Sequence, residues 1–180
     1  MSFALALPIV VSAIVLFFAS FLSWMVLQLH KRDWKKIDRE AEFMFAVGGF
    51  NLGEGNYLFP MAGNAAEMQT PEFQQKYAAG PRGILNLLPK ANMGANLGLT
   101  VLYFLTVSFM LAYLASIAFK PGAEFLQVFR FVVTAAFAIF LAAIVQHAIW
   151  FRMRIIGHVI ESAAYALITG TIFAGLWPGA

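Results

Sequence analysis

The sequence has no cysteine, and charged residues make up only 12% of its 180 residues. Without cysteine, disulfides, thiolate metal sites and cysteine nucleophiles are excluded. An ordinary soluble domain is about 25% charged, whereas this chain is 61% hydrophobic. A soluble protein of this size could not bury so much apolar surface. The composition therefore predicts an integral membrane protein.

Motifs for catalysis and for nucleic-acid binding are also missing. No serine–histidine–acid or paired-carboxylate arrangement stands out, so we predict no enzyme and no catalytic residue. The glycines at positions 48–49 and 53–55 lack the lysine and the following helix of a phosphate-binding loop. The net charge of +3 comes from basic residues close to apolar runs. That placement favours membrane orientation over nucleic acid as a partner.

Four apolar runs are long enough for helices that cross a bilayer, which needs about 20 residues. They cover residues 3–29, 97–119, 125–151 and 155–177. The first lacks the preceding positive charge of a signal peptide, so we interpret it as a retained span. The predicted fold class is an all-α membrane protein, a single integral membrane domain over residues 1–180.

Residues 30–94 form a long polar connection between the first and second spans. Its charged start is expected to continue the first helix out of the membrane. Thr70 and Pro71 predict the N-terminus of a short helix that ends before Gly80-Pro81. Residues 83–88 are apolar but far too short to span, so we expect them at the interface or against the bundle.

Basic residues are distributed unevenly between the two sides of the predicted bundle. Ten of the twelve lie between spans one and two or between spans three and four: Lys31, Arg32, Lys35, Lys36, Arg39, Lys76, Arg82, Lys90, Arg152 and Arg154. Because basic loops stay in the cytoplasm, we expect residues 30–94 to be cytoplasmic and both termini periplasmic. The expected location is the bacterial inner membrane.

The fourth span carries the clearest polar constellation. At 3.6 residues per turn, five polar side chains lie within an arc of roughly 100° on this helix: His158, Glu161, Ser162, Tyr165 and Thr169. A stripe of small residues runs beside this arc, in the pattern by which membrane helices approach closely. The stripe consists of Ser162, Ala166, Gly170 and Ala174. This side of the helix is therefore predicted to face other protein.

Glu161 is the acidic residue placed well inside a span, where a carboxylate is costly and often functional. Gln146 and His147 on the third span lie at nearly the same depth as His158 and Glu161, so the hairpin could bring them together. One interpretation is a polar clamp between helices, and the other is a proton or ion pathway.

Histidines on facing helices can ligate a haem iron, and His147 and His158 are the candidates here. No sequence signature supports a haem or metal site, so no cofactor and no metal are predicted.

The chain resembles a bacterial family of small four-helix membrane proteins with no assigned activity. The matching segments are residues 12–37, 56–60, 71–81, 92–116 and 149–178, and the pattern departs near residues 43–56. The resemblance implies the four-span topology and no chemistry.

Two functions remain open. The first is a non-enzymatic accessory or structural subunit of a larger membrane complex, of respiratory or photosynthetic type, with other membrane subunits and the lipid bilayer as partners. The second is a small oligomeric transporter or channel that uses Glu161 with His147 and His158.

Overall fold

A computed structural model of the chain describes residues 3–179. These residues form two compact units. One contains residues 3–35 and 93–179, and the other contains residues 36–92. The helices and strands are α1 Ala6–Phe21, α2 Glu40–Gly49, β1 Gly55–Phe59, α3 Ala65–Met68, α4 Pro71–Ala79, β2 Gly83–Leu87, α5 Met93–Ala118, α6 Phe125–Phe151 and α7 Ile156–Gly175.

Four helical stretches of the first unit are long and apolar enough to cross a membrane, as predicted. They are Phe3–Val26, α5, α6 and α7. The first combines a 3-10 turn, α1 and a π-helical turn over Leu22–Val26. The boundaries of α6 agree with the predicted span, and those of α5 and α7 differ by a few residues.

The prediction that the first helix continues through the charged segment is wrong. The helix ends after Val26, and Gln28 takes a left-handed conformation with φ 50°. A short 3-10 turn follows at Lys31–Asp33. The reversal places the His30 side chain inside the unit, where it is 3% exposed. A helical continuation would instead carry this histidine away from the polar partners it contacts.

The four long helices pack through a core of small, aliphatic and aromatic side chains. The most extensive pairing is between α6 and α7, and α1 packs against both α5 and α7. The small residues Ser162, Ala166, Gly170 and Ala174 are all buried. At Gly170 an added Cβ would overlap Val133 Cγ2. The two helices therefore approach too closely at this point for a larger residue.

Most residues of the long helices nevertheless face outward. Of the 18 most apolar consecutive residues in each stretch, 33% are buried in Phe3–Val26 and 33% in α5. The buried share is 22% in α6 and 39% in α7. The last stretch, α7, is both the most buried and the least apolar, with a mean hydropathy of 1.3. The outer faces of the other three consist largely of exposed aliphatic and aromatic side chains, which need apolar surroundings.

The far end of α7 is held by the turn between α5 and α6. Trp177 Nε1 donates to the Lys120 carbonyl at 3.1 Å, and the Gly122 amide donates to the Pro178 carbonyl at 2.8 Å. Gly122 has φ 82°, a conformation that favours glycine.

The second unit contains a two-stranded antiparallel sheet, so the description of the chain as all-α is incomplete. β1 pairs with β2, with Gly55 opposite Leu87 and Phe59 opposite Gly83. Residues 83–88, expected to lie at the interface or against the bundle, thus contribute a strand. A Cβ at Gly83 would lie 2.9 Å from the Phe59 ring, so a larger residue here would have to move that ring.

The helix predicted after Thr70 is confirmed. Thr70 Oγ1 accepts from the Phe73 amide at 3.2 Å, Pro71 is the first helical residue, and Gly80 ends α4 with φ 69°. The helix α2, Glu40–Gly49, begins within the charged start of the connection and includes Gly48 and Gly49. This helix buries none of its side chains.

We predict that Gly170→Leu lowers the midpoint of thermal unfolding in detergent, because the new side chain must displace Val133. Overpacking of this kind costs about 1–3 kcal/mol or more. Gly98→Leu is the matched control, since a Cβ at Gly98 in α5 meets nothing within 4 Å. Equal effects of the two substitutions would contradict the close approach of α6 and α7.

Candidate functional site

Two separate parts of the chain supply a cluster of ionisable side chains in the first unit. His30 follows the end of the first long helix, and Asp33 lies in the 3-10 turn just after it. His158, Glu161 and Tyr165 lie on α7 at spacings of three and four residues. That spacing puts the three α7 side chains on one face of the helix. We call these five residues the His30 cluster.

The His30 ring is held on both nitrogens. Nδ1 lies 2.8 Å from Asp33 Oδ2, and Nε2 lies 3.2 Å from Glu161 Oε2. The Trp24 ring stacks on the imidazole at 4.1 Å between centroids, with an interplanar angle of 19°. Gly157 lies against it, because a Cβ there would be 3.1 Å from the ring atoms. The imidazole is therefore fixed in position by carboxylates, an indole and backbone.

The Glu161 carboxylate uses both of its oxygens. Oε1 accepts from the Tyr165 hydroxyl at 2.7 Å, while Oε2 faces His30. The Tyr165 ring packs against Phe140 and Phe104, at 5.4 and 5.6 Å between centroids. The side of the carboxylate next to Tyr165 is thus closed by aromatic rings.

His158 adds a second imidazole to the cluster. Its ring centroid lies 4.4 Å from that of His30. Ligating atoms of His30, His158 and Glu161 all lie within 4.8 Å of one another. Among the described residues His158 makes no hydrogen bond, so its ring nitrogens are available to another group.

On its other side, the cluster contacts Arg154 through Asp33. Arg154 Nε lies 3.8 Å from Asp33 Oδ1, too far for a hydrogen bond, and its side chain is 42% exposed. A cavity of about 340 Å³ lies beside these residues and is lined by Leu27, Gln28, Leu29, Lys31, Arg32, Arg154, Ile156, Gly157 and Ile160. Three of those residues are basic, so the cavity carries positive charge.

Proton positions in the cluster are constrained by its geometry. If His30 donates from Nδ1 to Asp33, a neutral ring presents the Nε2 lone pair to Glu161 Oε2. Two lone pairs 3.2 Å apart repel each other. In this tautomer a proton or another cation must lie between these two atoms. With that cation present, the contact is a buried, charge-assisted pair, and removal of one partner is strongly destabilising.

The polar residues predicted from the sequence are only partly brought together. His158, Glu161 and Tyr165 share one cluster, as their helical spacing predicted. Gln146 and His147 are exposed on α6, and His147 packs against the Phe151 ring at 4.4 Å between centroids. The hydrogen-bond partners of Glu161 among residues 3–179 are His30 and Tyr165 instead. The predicted contact of Gln146 or His147 with Glu161 is absent among the described residues.

Sequence reasoning missed His30 and Asp33 because it assigned them to a solvated helical continuation. A signal was present: His30 ends an apolar run on the same side as His158 and precedes an acid by three residues. A histidine at that depth could have been considered as a partner of Glu161.

Comparisons of the chain with protein-family models, curated proteins and solved structures found no match. The resemblance to a bacterial membrane family thus stays a prediction, and the site is interpreted from its own geometry.

We predict that Glu161→Ala destabilises the protein in detergent by about 1–3 kcal/mol or more, because His30 and the Tyr165 hydroxyl lose their partner. Glu161→Gln should be milder, since an amide can accept from Tyr165 and donate to His30. Gln146→Ala, on the exposed face of α6, is the control and should change little. A larger effect of Gln146→Ala than of Glu161→Ala in thermal unfolding would favour the hairpin interaction predicted from sequence.

Proposed function

We propose that the chain is a non-enzymatic, multi-pass membrane protein of the bacterial inner membrane, acting as an accessory or structural subunit of a larger membrane complex. The observation that carries this proposal is the exposed apolar surface of its long helices. In α6 only 22% of the most apolar window is buried. Such a face requires lipid, another membrane helix or both.

The proposed orientation is cytoplasmic for residues 30–94 and periplasmic for both termini. Its support is the asymmetry of basic residues already described. Lys31, Arg32 and Arg154 line one cavity, so basic residues from the first and third connections meet at the same end of the helices. That end is the cytoplasmic one in this proposal.

Two further features favour a structural role. The Glu161 carboxylate is fully engaged by His30 and Tyr165, which is the arrangement of a clamp between parts of the chain. The second unit exposes large apolar side chains on and after α2, including Met44, Phe45 and Phe50, which are 66, 86 and 70% exposed. A partner protein or the membrane surface would remove these side chains from water.

A small oligomeric transporter or channel is the second candidate. It is favoured by the buried ionisable side chains of the His30 cluster. In this candidate function, the histidine that contacts Glu161 is His30 rather than His147. Against a pathway, the other buried polar residues described are serines and a threonine: Ser12, Ser23, Ser108, Ser162 and Thr169. None of them can serve as a second ionisable station for a proton.

Purification from native membranes in a mild detergent tests the two candidates. We expect the tagged protein to migrate with a large complex containing other membrane subunits. A harsher detergent, as the control, should release it as a small species.

Recovery of a homo-oligomer alone would contradict the accessory role. Proton or ion flux by that oligomer in liposomes, abolished by Glu161→Gln while the protein remains folded, would establish the transport function instead.

A further inference from the structure

We propose that His30, His158 and Glu161 bind one divalent first-row transition-metal ion of the Zn²⁺ or Fe²⁺ kind. Asp33 and Tyr165 would orient two of the three ligands. This inference goes beyond the proposed function and does not depend on it, because a subunit or a transporter could carry such a site.

The three ligating groups are already close to the arrangement that a metal requires. Their ligating atoms lie within 4.8 Å of one another. Nitrogen and oxygen ligands about 2.0–2.2 Å from Zn²⁺ in tetrahedral geometry are roughly 3.3 Å apart. The His30 Nε2 to Glu161 Oε2 distance is 3.2 Å. Side-chain movement of His158 by up to about 1.5 Å would complete the set.

Asp33 contacts the His30 ring nitrogen that would not bind the metal, as a carboxylate commonly does at metal-binding histidines. Its contact with Nδ1 at 2.8 Å favours the tautomer that leaves the Nε2 lone pair free to bind a metal. The Tyr165 hydroxyl similarly binds Glu161 Oε1 and leaves Oε2 directed at the centre of the cluster. Two of the three ligands are thus oriented by a hydrogen bond to their other polar atom.

The cation required between His30 and Glu161 can be a proton or a metal ion. A proton satisfies those two groups and leaves His158 without a hydrogen bond among the described residues. A metal ion satisfies all three groups at once. Metal binding therefore accounts for why a second imidazole lies 4.4 Å from the first in a partly buried position.

The donor set indicates the class of metal. Two imidazoles and one carboxylate suit zinc and divalent iron, and they suit magnesium and calcium poorly. Three protein ligands leave a fourth position for water or a small ligand. Because His30 and Glu161 are 131 residues apart in the chain, the ion would also join two distant segments.

The test uses the full chain in detergent, purified on a tag without histidines and stripped with a chelator. Zn²⁺ is then added, excess ion is removed and bound metal is measured by elemental analysis. Co²⁺ provides a second readout through its visible absorption. We expect one ion per chain, with affinity at least tenfold lower in His158→Gln and about 10–100-fold lower in Asp33→Asn.

His147→Gln is the matched control, because His147 is an exposed histidine on the neighbouring helix and should leave binding unchanged. His158 makes no hydrogen bond in the described structure, so His158→Gln should fold, and its thermal unfolding without metal verifies this. Absence of bound Zn²⁺ and Co²⁺ in the wild type would overturn the proposal. Equal binding by wild type and folded His158→Gln would overturn it as well.

Discussion

The contact between His30 and Glu161 joins the end of the first long helix to the start of the last. His30 is 3% exposed and Glu161 is 8% exposed, so both groups are removed from water. Neither can be buried at low cost alone, because an unpaired charge or polar group in an apolar region is strongly unfavourable. Their pairing holds the segment after the first helix, with the short turn that carries Asp33, against α7.

Small residues and aromatic rings also hold the long helices together. Gly157 allows the backbone of α7 to lie directly against the His30 ring, and Gly170 allows α6 to approach α7 further along. Between them, Tyr165 links the Glu161 carboxylate to a cluster of rings formed with Phe104 and Phe140. The polar cluster is thus confined to one end of the helices. The remaining buried core contains no ionisable side chain among the residues described.

Sequence reasoning predicted the features that depend on local composition. The four long helices follow from runs of apolar residues, and the α4 cap follows from Thr70 and Pro71. Features that depend on long-range contacts were missed. The strand pairing of residues 55–59 with 83–87 joins segments more than twenty residues apart, and neither segment alternates strongly enough to reveal it.

In the candidate site, too, the local features could be predicted from the sequence and the long-range contacts could not. Helical spacing was sufficient to group His158, Glu161 and Tyr165 on one face of α7. It could not identify the partner of Glu161, because depth in a span does not give the direction in which a neighbouring side chain points. Gln146 and His147 are exposed on α6. His30 contacts Glu161 after the first helix ends at Val26 and the backbone turns at Gln28.

A double-mutant cycle tests the central role of the His30–Glu161 contact most directly. The free energies of unfolding in detergent are measured for wild type, His30→Ala, Glu161→Ala and the double variant. If the two side chains stabilise each other, their effects are non-additive, with a coupling energy of about 1–3 kcal/mol. Effects that add within about 0.5 kcal/mol would contradict the account, since they would mean that the two residues act independently.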